Sequence, residues 1–249
     1  MMVYEAGEAE ACAQGVVGPH QEPWLNVLDT YEPSSPAAID LVLQHPEIRP
    51  LVFGHVIDLG AGTCWATARF STVHAIERVV ALDMSERFLT EVGSRVLHQV
   101  GGDESKVAFA VGSYNDVPLP SASFNTAFLI AAIHHSLSPI KTLLEARRLL
   151  RPDGTLVLVE QPAPLLGVNG VRRRFIGLSR STSTTELCYT FGELRYLLQH
   201  AGFDSLKFYP VDALTRGRGR RVLRKGLRAL GIEALVRPPT YVIVARRNV

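Results

Sequence analysis

The chain has 249 residues, 47% of them hydrophobic, and a formal net charge of +2, enough for one large domain with a sizeable core. No apolar run reaches the roughly 18 residues of a spanning helix, and Cys12, Cys64 and Cys188 are too far apart for a disulfide framework or a zinc site. Between Thr215 and Arg237 eight basic residues stand against the single acid Glu233, so the segment carries +7 and leaves −5 for the rest. The basic character is local, which argues against a nucleic-acid-binding protein as a whole.

Residues 1–34 read as an N-terminal extension. Met1 to Gln14 holds three glutamates and no basic residue, unlike a signal or transit peptide, so a reducing cytoplasm is the expected location. Ser35-Pro36 supplies an N-cap and an N1 proline for a helix through Ile39, Leu41, Val42 and Leu43. This helix is expected to pack at the first strand's edge of the sheet. Trp24 and Tyr31 just before it either line a ligand site or anchor the core.

Val56-Ile57-Asp58-Leu59-Gly60-Ala61-Gly62-Thr63-Cys64 organises the chain. Its apolar, β-branched start predicts a buried parallel strand. Gly60 and Gly62 permit a tight turn that a ligand can approach. A helix from Trp65 to about Ala75 would aim its amide-rich N-terminus at that turn. A strand, glycine turn and helix in this order form the usual nucleotide-like cofactor site of an open α/β sheet. The dinucleotide pattern G-x-G-x-x-G needs a third glycine where Trp65 stands, which disfavours a nicotinamide oxidoreductase. The pattern D-x-G-x-G, with Asp58, Gly60 and Gly62, resembles motif I of the class I S-adenosylmethionine (SAM) methyltransferases. Their usual third glycine is Cys64 here.

Val79 to Leu82 predicts a second buried strand, ending in Asp83. An acid about 20 residues beyond a glycine turn can accept both hydroxyls of a ribose; the alternative is an exposed loop acid. Met84 would lie against an adenine or simply fill space. Ser85 caps a helix over 86–99. Val107 to Val111 is a third strand. The run from Gly112 to Asn125 then resembles the segment G-D-A-x-x-L-P-F-x-x-x-S-F-D of the quinone-biosynthesis C-methyltransferases, without a gap. Two of that pattern's acids are replaced, by Ser113 and Asn125. The resemblance implies that Ser113 meets the adenine amino group, as a hydroxyl can, and that Ala131 also contacts the cofactor.

Ala127 to Ile133 predicts a central fourth strand running into His134-His135. An imidazole there would serve as a general base, or the pair orients the loop. Ser138-Pro139 opens a helix with Leu143, Leu144, Ala146, Leu149 and Leu150 on its buried side. Arg151 to Gly154 is a turn and Thr155 to Val159 a fifth strand. Glu160 at its end is a substrate contact, a base or an exposed strand-end acid. Residues 163–190, with Arg172-Arg173-Arg174, correspond to the family's variable substrate-covering insert. Thr190-x-x-Glu193 is a capping box for a helix carrying Leu194, Leu197 and Leu198. Phe203 to Tyr209 and Tyr241 to Ala245 are the last two strands, one of them antiparallel, flanking the basic insert 215–237.

The expected architecture is a Rossmann-like, seven-stranded, mostly parallel sheet with helices on both faces, over residues 35–249. The resemblance implies SAM as cofactor, bound by Asp58, Gly60, Gly62, Asp83, Met84, Ser113 and Ala131. It implies methyl transfer to a small-molecule or lipid-like acceptor, with His134, His135 and Glu160 as catalytic candidates and no metal. The basic insert 215–237, with Val222, Leu223, Leu227 and Leu230 forming an apolar stripe, would suit an anionic membrane surface. A solvated helix is the plainer alternative. The replacements at Cys64, Ser113 and Asn125 leave open a non-catalytic SAM-binding regulatory or scaffold protein.

Overall fold

In the computed structural model, which describes residues 34–162, 189–211 and 240–247, the longest apolar runs become the middle of one sheet. The described elements are α1 (Ser34–Gln44), β1 (Gly54–Leu59), α2 (Trp65–Ser71), β2 (Ile76–Asp83), a π-helical turn (Phe88–Gly93) running into α3 (Ser94–Gln99), β3 (Val107–Val111), β4 (Phe124–Ile130), α4 (Pro139–Leu149), β5 (Leu150–Glu160), α5 (Phe191–His200), β6 (Phe203–Pro210) and β7 (Tyr241–Arg247). The seven strands lie in the order β3-β2-β1-β4-β5-β7-β6. Pairings from β3 through β5 are parallel, and β7 runs antiparallel to both β5 and β6.

Side chains of a strand alternate between the two faces of a sheet. Ile57, Leu59, Leu129 and Leu158 therefore join one core, with Leu143, Ala146 and Leu149 of α4 and Leu194 and Leu198 of α5. Val56, Phe128, Val157 and Val244 join the other, with Ala38, Ile39 and Val42 of α1 and Phe70 of α2. Phe70 stacks on Phe128 with centroids 4.0 Å apart. A strand covered on both faces favours a continuous apolar run, and Val56-Ile57, Ala127–Ile130 and Leu156–Val159 supply it in β1, β4 and β5.

Several boundaries differ from the sequence-based expectation. The first helix shares a core with Val157 and Val244, so it lies over the interior of the sheet and not at an edge. The helix α2 stops at Ser71 because Ser71 and Thr72 turn their hydroxyls onto the carbonyls of Ala68 and Arg69, a local bond that competes with helix propagation. Ser85 does cap the next segment, accepting the Phe88 N–H at 3.2 Å. That segment is helical over 86–99 as expected, with a π-helical stretch, Phe88–Gly93, inside it. Gly93 in it faces Cys64, whose sulfur would lie 2.7 Å from any added Cβ. The fourth strand ends at Ile130, since Ala131 takes a positive φ of 49°.

Phe124 pairs with Leu150, and Thr126 with Thr155. The expected turn Arg151 to Gly154 is thus a wide bulge inside β5, opposite Asn125, with Asp153 at φ 63°. Leu144 is exposed and Leu150 opens β5, so the buried side of α4 is Thr142, Leu143, Ala146 and Leu149. The capping box at Thr190 and Glu193 forms with both of its reciprocal bonds. Trp24, Tyr31, Cys12, Cys188, the arginines at 172–174 and the basic insert 215–237 lie outside the described residues. Among the described residues no helix is long and apolar enough to cross a membrane, and no group of three His, Cys, Asp or Glu could hold a metal ion.

Candidate functional site

Strand order reverses between β1 and β4: the chain builds outward through β2 and β3 on one side, then returns to add β4 and β5 on the other. Ligands of open α/β sheets bind at the carboxyl ends of strands beside such a switch. Asp58, Asp83, Ala131 and Glu160 all stand at or just past the carboxyl ends of β1, β2, β4 and β5.

The glycine turn leaves β1 with Gly60 at φ 77° and Gly62 at φ 51°, a backbone region that costs other L-residues. Gly60 and Ala61 donate their N–H groups to the Leu82 carbonyl, at 2.8 and 3.0 Å. A Cβ at Gly60 would meet the Ala132 methyl at 2.9 Å and the Tyr114 ring at 3.4 Å. The β4 loop and the loop after β3 therefore close directly over the turn. Cys64, at φ 58° and fully buried, leads into α2. Burial, and then the charges of Asp58 and Asp83, push its thiol well above the ordinary range, so it is no thiolate nucleophile.

The two acids of the site differ in placement. Asp58 is 1% exposed and lies beneath the turn, where Oδ2 accepts the Thr67 hydroxyl at 2.7 Å. Burial raises its pKa to about 6; the Asp83 charge adds to this and the Thr67 bond opposes it. It positions the turn and the first turns of α2 rather than facing a ligand. Asp83 is partly exposed. Its Oδ2 accepts the Gly62 N–H at 2.8 Å and its Oδ1 the Ser85 N–H at 2.9 Å. Burial raises its pKa, against the backbone N–H groups of Ser85, Gly62 and Met84. An ionised carboxylate has about four lone-pair sites, more than these bonds consume, so Asp83 can strap the glycine turn and still accept from a diol. That is the fit a nucleoside cofactor requires. Met84 is half-buried beside it.

The loop after β3 is held by Ser113 itself and by groups that the sequence did not single out, Asn115, Ser136, Thr142, Glu145 and Arg148. Ser113 Oγ accepts the Asn115 N–H at 3.2 Å, so this hydroxyl also shapes its own turn. Buried Asn115 accepts the Thr142 hydroxyl at 2.7 Å, and Ser136 and Thr142 share a hydrogen bond of 2.7 Å. Arg148 donates to the carbonyls of Val117 and Leu119, both at 2.9 Å, while paired with Glu145. The loop carrying Ser113 and the loop carrying His134 are thus fastened to α4 as one unit. Asn125 works at the opposite end of its strand, accepting the His55 N–H at 3.0 Å. It stands far along β4 from the ligand edge.

On the other side of the switch, a single 3-10 turn, Ile133–His135, follows β4. His134 Nδ1 lies 2.9 Å from Glu160 Oε2, with side chains 19% and 9% exposed. Glu160 Oε1 accepts the Gln161 N–H at 2.9 Å. The acid is therefore a buried partner of His134 and not an exposed strand-end charge. The His135 ring lies 4.2 Å from that of His134, tilted by 50°. Ala131 donates its N–H to the Val159 carbonyl; the contact with the glycine turn comes from Ala132, one residue on.

Residues 57–158 match the family model described as a methyltransferase domain. A demethylmenaquinone methyltransferase of Clavibacter sepedonicus is 33% identical over 122 residues, covering 48% of this chain and 47% of that protein. A tRNA U34 carboxymethyltransferase of Shewanella piezotolerans is 32% identical over 113 residues, covering 45% and 33%. The chain thus spans half or less of the length of these curated relatives. A chain in the structure of the Haloferax volcanii complex with the Trm112 methyltransferase activator superposes with a TM-score of 0.68 at 18% identity, covering 98% of this chain and 97% of that one. Residues 57–158 are thus similar to a methyltransferase domain, and the sheet built around them has the seven-stranded, Rossmann-like fold of the class I SAM-dependent methyltransferases.

Proposed function

We propose that this chain binds SAM and transfers its methyl group to a small-molecule or lipid-like acceptor. The observation that carries the reading is the double role of Asp83, which fixes the Gly62 N–H while keeping acceptor capacity at the carboxyl edge. In this reading Asp83 receives the ribose hydroxyls, the backbone from Gly60 to Gly62 faces the amino-acid end, and Met84 and Ser113 flank the adenine. Asp58 and Ala131 support the surrounding backbone. The cofactor supplies a methyl group already activated on a sulfonium; the protein supplies position and electrostatic surroundings.

His134 and Glu160 form the acid–base candidate. With Nδ1 engaged by the carboxylate, the ring is fixed in orientation. Proton exchange with an acceptor then falls to Nε2. His135 buttresses the ring. Residues 163–190 would cover the acceptor. The menaquinone-pathway name of one relative favours a quinone-like lipid acceptor, which the basic, apolar-striped sequence of 215–237 would bring to an anionic membrane.

An RNA acceptor is the second reading, favoured by the relative that acts on tRNA. Labelled methyl from SAM should appear in a small-molecule or lipid extract, and not in bulk tRNA. Label in tRNA alone would favour the second reading. Cofactor binding with no transfer to either pool would leave a SAM-binding scaffold.

A further inference from the structure

The two edges of the sheet are built differently. Along β6, at one edge, Asp204 and Lys207 are exposed and Pro210 ends the strand. Charge and proline of this kind are how natural edge strands avoid pairing with other chains. The other edge, β3, reads Val107-Ala108-Phe109-Ala110-Val111. It has no charge, no proline, no glycine and, in its pairing with β2, no bulge. Phe109 is 37% exposed and Val111 51% exposed, and both point to the same face by strand alternation. Such a strand left bare in water is an aggregation hazard.

We infer that β3 is the self-association edge of this protein and that its occupant is β3 of a second copy, paired antiparallel about a two-fold axis at Phe109. Two observations favour a second copy. First, the strand reads the same in both directions. A two-fold pairing centred on Phe109 sets Phe109 opposite Phe109, Ala108 opposite Ala110 and Val107 opposite Val111, with only apolar cross-strand pairs. Lys106 falls opposite Gly112, so no like charges meet. Second, the guarded β6 edge disfavours the head-to-tail pairing of β3 on β6 that would propagate into filaments. A β3–β3 contact is isologous and closes at two copies. The dimer would run one continuous sheet through both protomers and cover Phe109 and Val111.

Sedimentation of the full chain over a range of concentrations tests the inference. The wild type is expected to pass from monomer to dimer and no further. Phe109→Lys, which sets like charges face to face on the axis, should weaken dimerisation at least tenfold. Tyr196→Lys, at another exposed site on α5, should leave it unchanged. Thermal melting of each variant reports whether it folds. A register test adds an independent readout in a background with Cys12 and Cys188 replaced by serine. Phe109→Cys should cross-link to itself under mild oxidation, and Val111→Cys only when mixed with Val107→Cys. A wild type that stays monomeric throughout, a dimer indifferent to Phe109→Lys, or absence of the Phe109→Cys cross-link would each overturn the inference.

Discussion

Asp58 is a buried carboxylate that the fold holds at a cost, and the cost can be measured. Its pKa stands at about 6 against an ordinary 3.8. At about 1.4 kcal/mol per tenfold change in proton affinity, keeping it ionised in the folded state costs about 3 kcal/mol. The folded state binds this proton more tightly than the unfolded chain does. Stability therefore falls as pH rises from about 3.8 to about 6, and the full cost is present above that window. Asp58→Asn removes the charge and keeps an oxygen for the Thr67 hydroxyl. Its new amide hydrogens give back about 1–2 kcal/mol if they stay unpaired. The variant should be more stable than the wild type near neutral pH by about 1–2 kcal/mol, or about 2–4 °C in melting temperature per kcal/mol. The gain should vanish at about pH 5 and reverse by about pH 4, where Asp58 is already protonated and the amide cost remains. Scanning calorimetry at pH values on both sides of the window checks this. Part of the wild-type slope should survive in the variant, because burial raises Asp83 too. A variant that melts at or below the wild type near neutrality, with its pH slope unchanged, would refute the reasoning. Retention of so expensive a group is the pattern of a site that trades stability for function.

Asp83→Ala removes the acceptor of the Gly62 and Ser85 N–H groups; calorimetry should show SAM affinity falling at least about tenfold, since each charge-assisted bond is worth about 1.5–3 kcal/mol. Gly60→Ala places a methyl in a positive-φ residue and against Ala132, so denaturant unfolding should show a loss of at least about 1–2 kcal/mol. His134→Gln and Glu160→Gln should each lower methyl transfer by about 10²–10⁴-fold while leaving SAM affinity near wild type. Loss of SAM affinity in step with transfer would instead make the pair part of the cofactor site.

The cores of β1, β2, β4 and β5 were legible because strands buried on both faces favour apolar residues, and the runs at 56–57, 79–82, 127–130 and 156–159 say so directly. The glycine turn was legible because backbone geometry there requires particular residues. What stayed hidden was decided by contacts between distant segments. Asn115 and Ser136 are ordinary loop residues in sequence and Thr142 an ordinary helix residue, and they become one network only when two loops meet α4. The Glu145–Arg148 pair at i and i+3 looks like any solvated helix pair, yet its guanidinium clamps the loop after β3. The π turn at 88–93 coincides with the close approach of Gly93 to Cys64, 29 residues earlier. The early end of β4 follows from the strained backbone of Ala131, which no periodicity marks.

The position of β7 has a consequence for the order of assembly. This strand lies between β5 and β6, although it comes later in the chain than either. When β6 first leaves the ribosome it has no neighbour to bond to. Its hydrogen-bonded place exists only after β7, some 30 residues further on, has docked antiparallel on β5. The five strands that carry the glycine turn, Asp83 and the His134–Glu160 pair need no such delay, since each pairs only with strands already made. Synthesis from the N-terminus can therefore complete the cofactor half of the domain first, with α5 and β6 waiting on the last strand to be locked in.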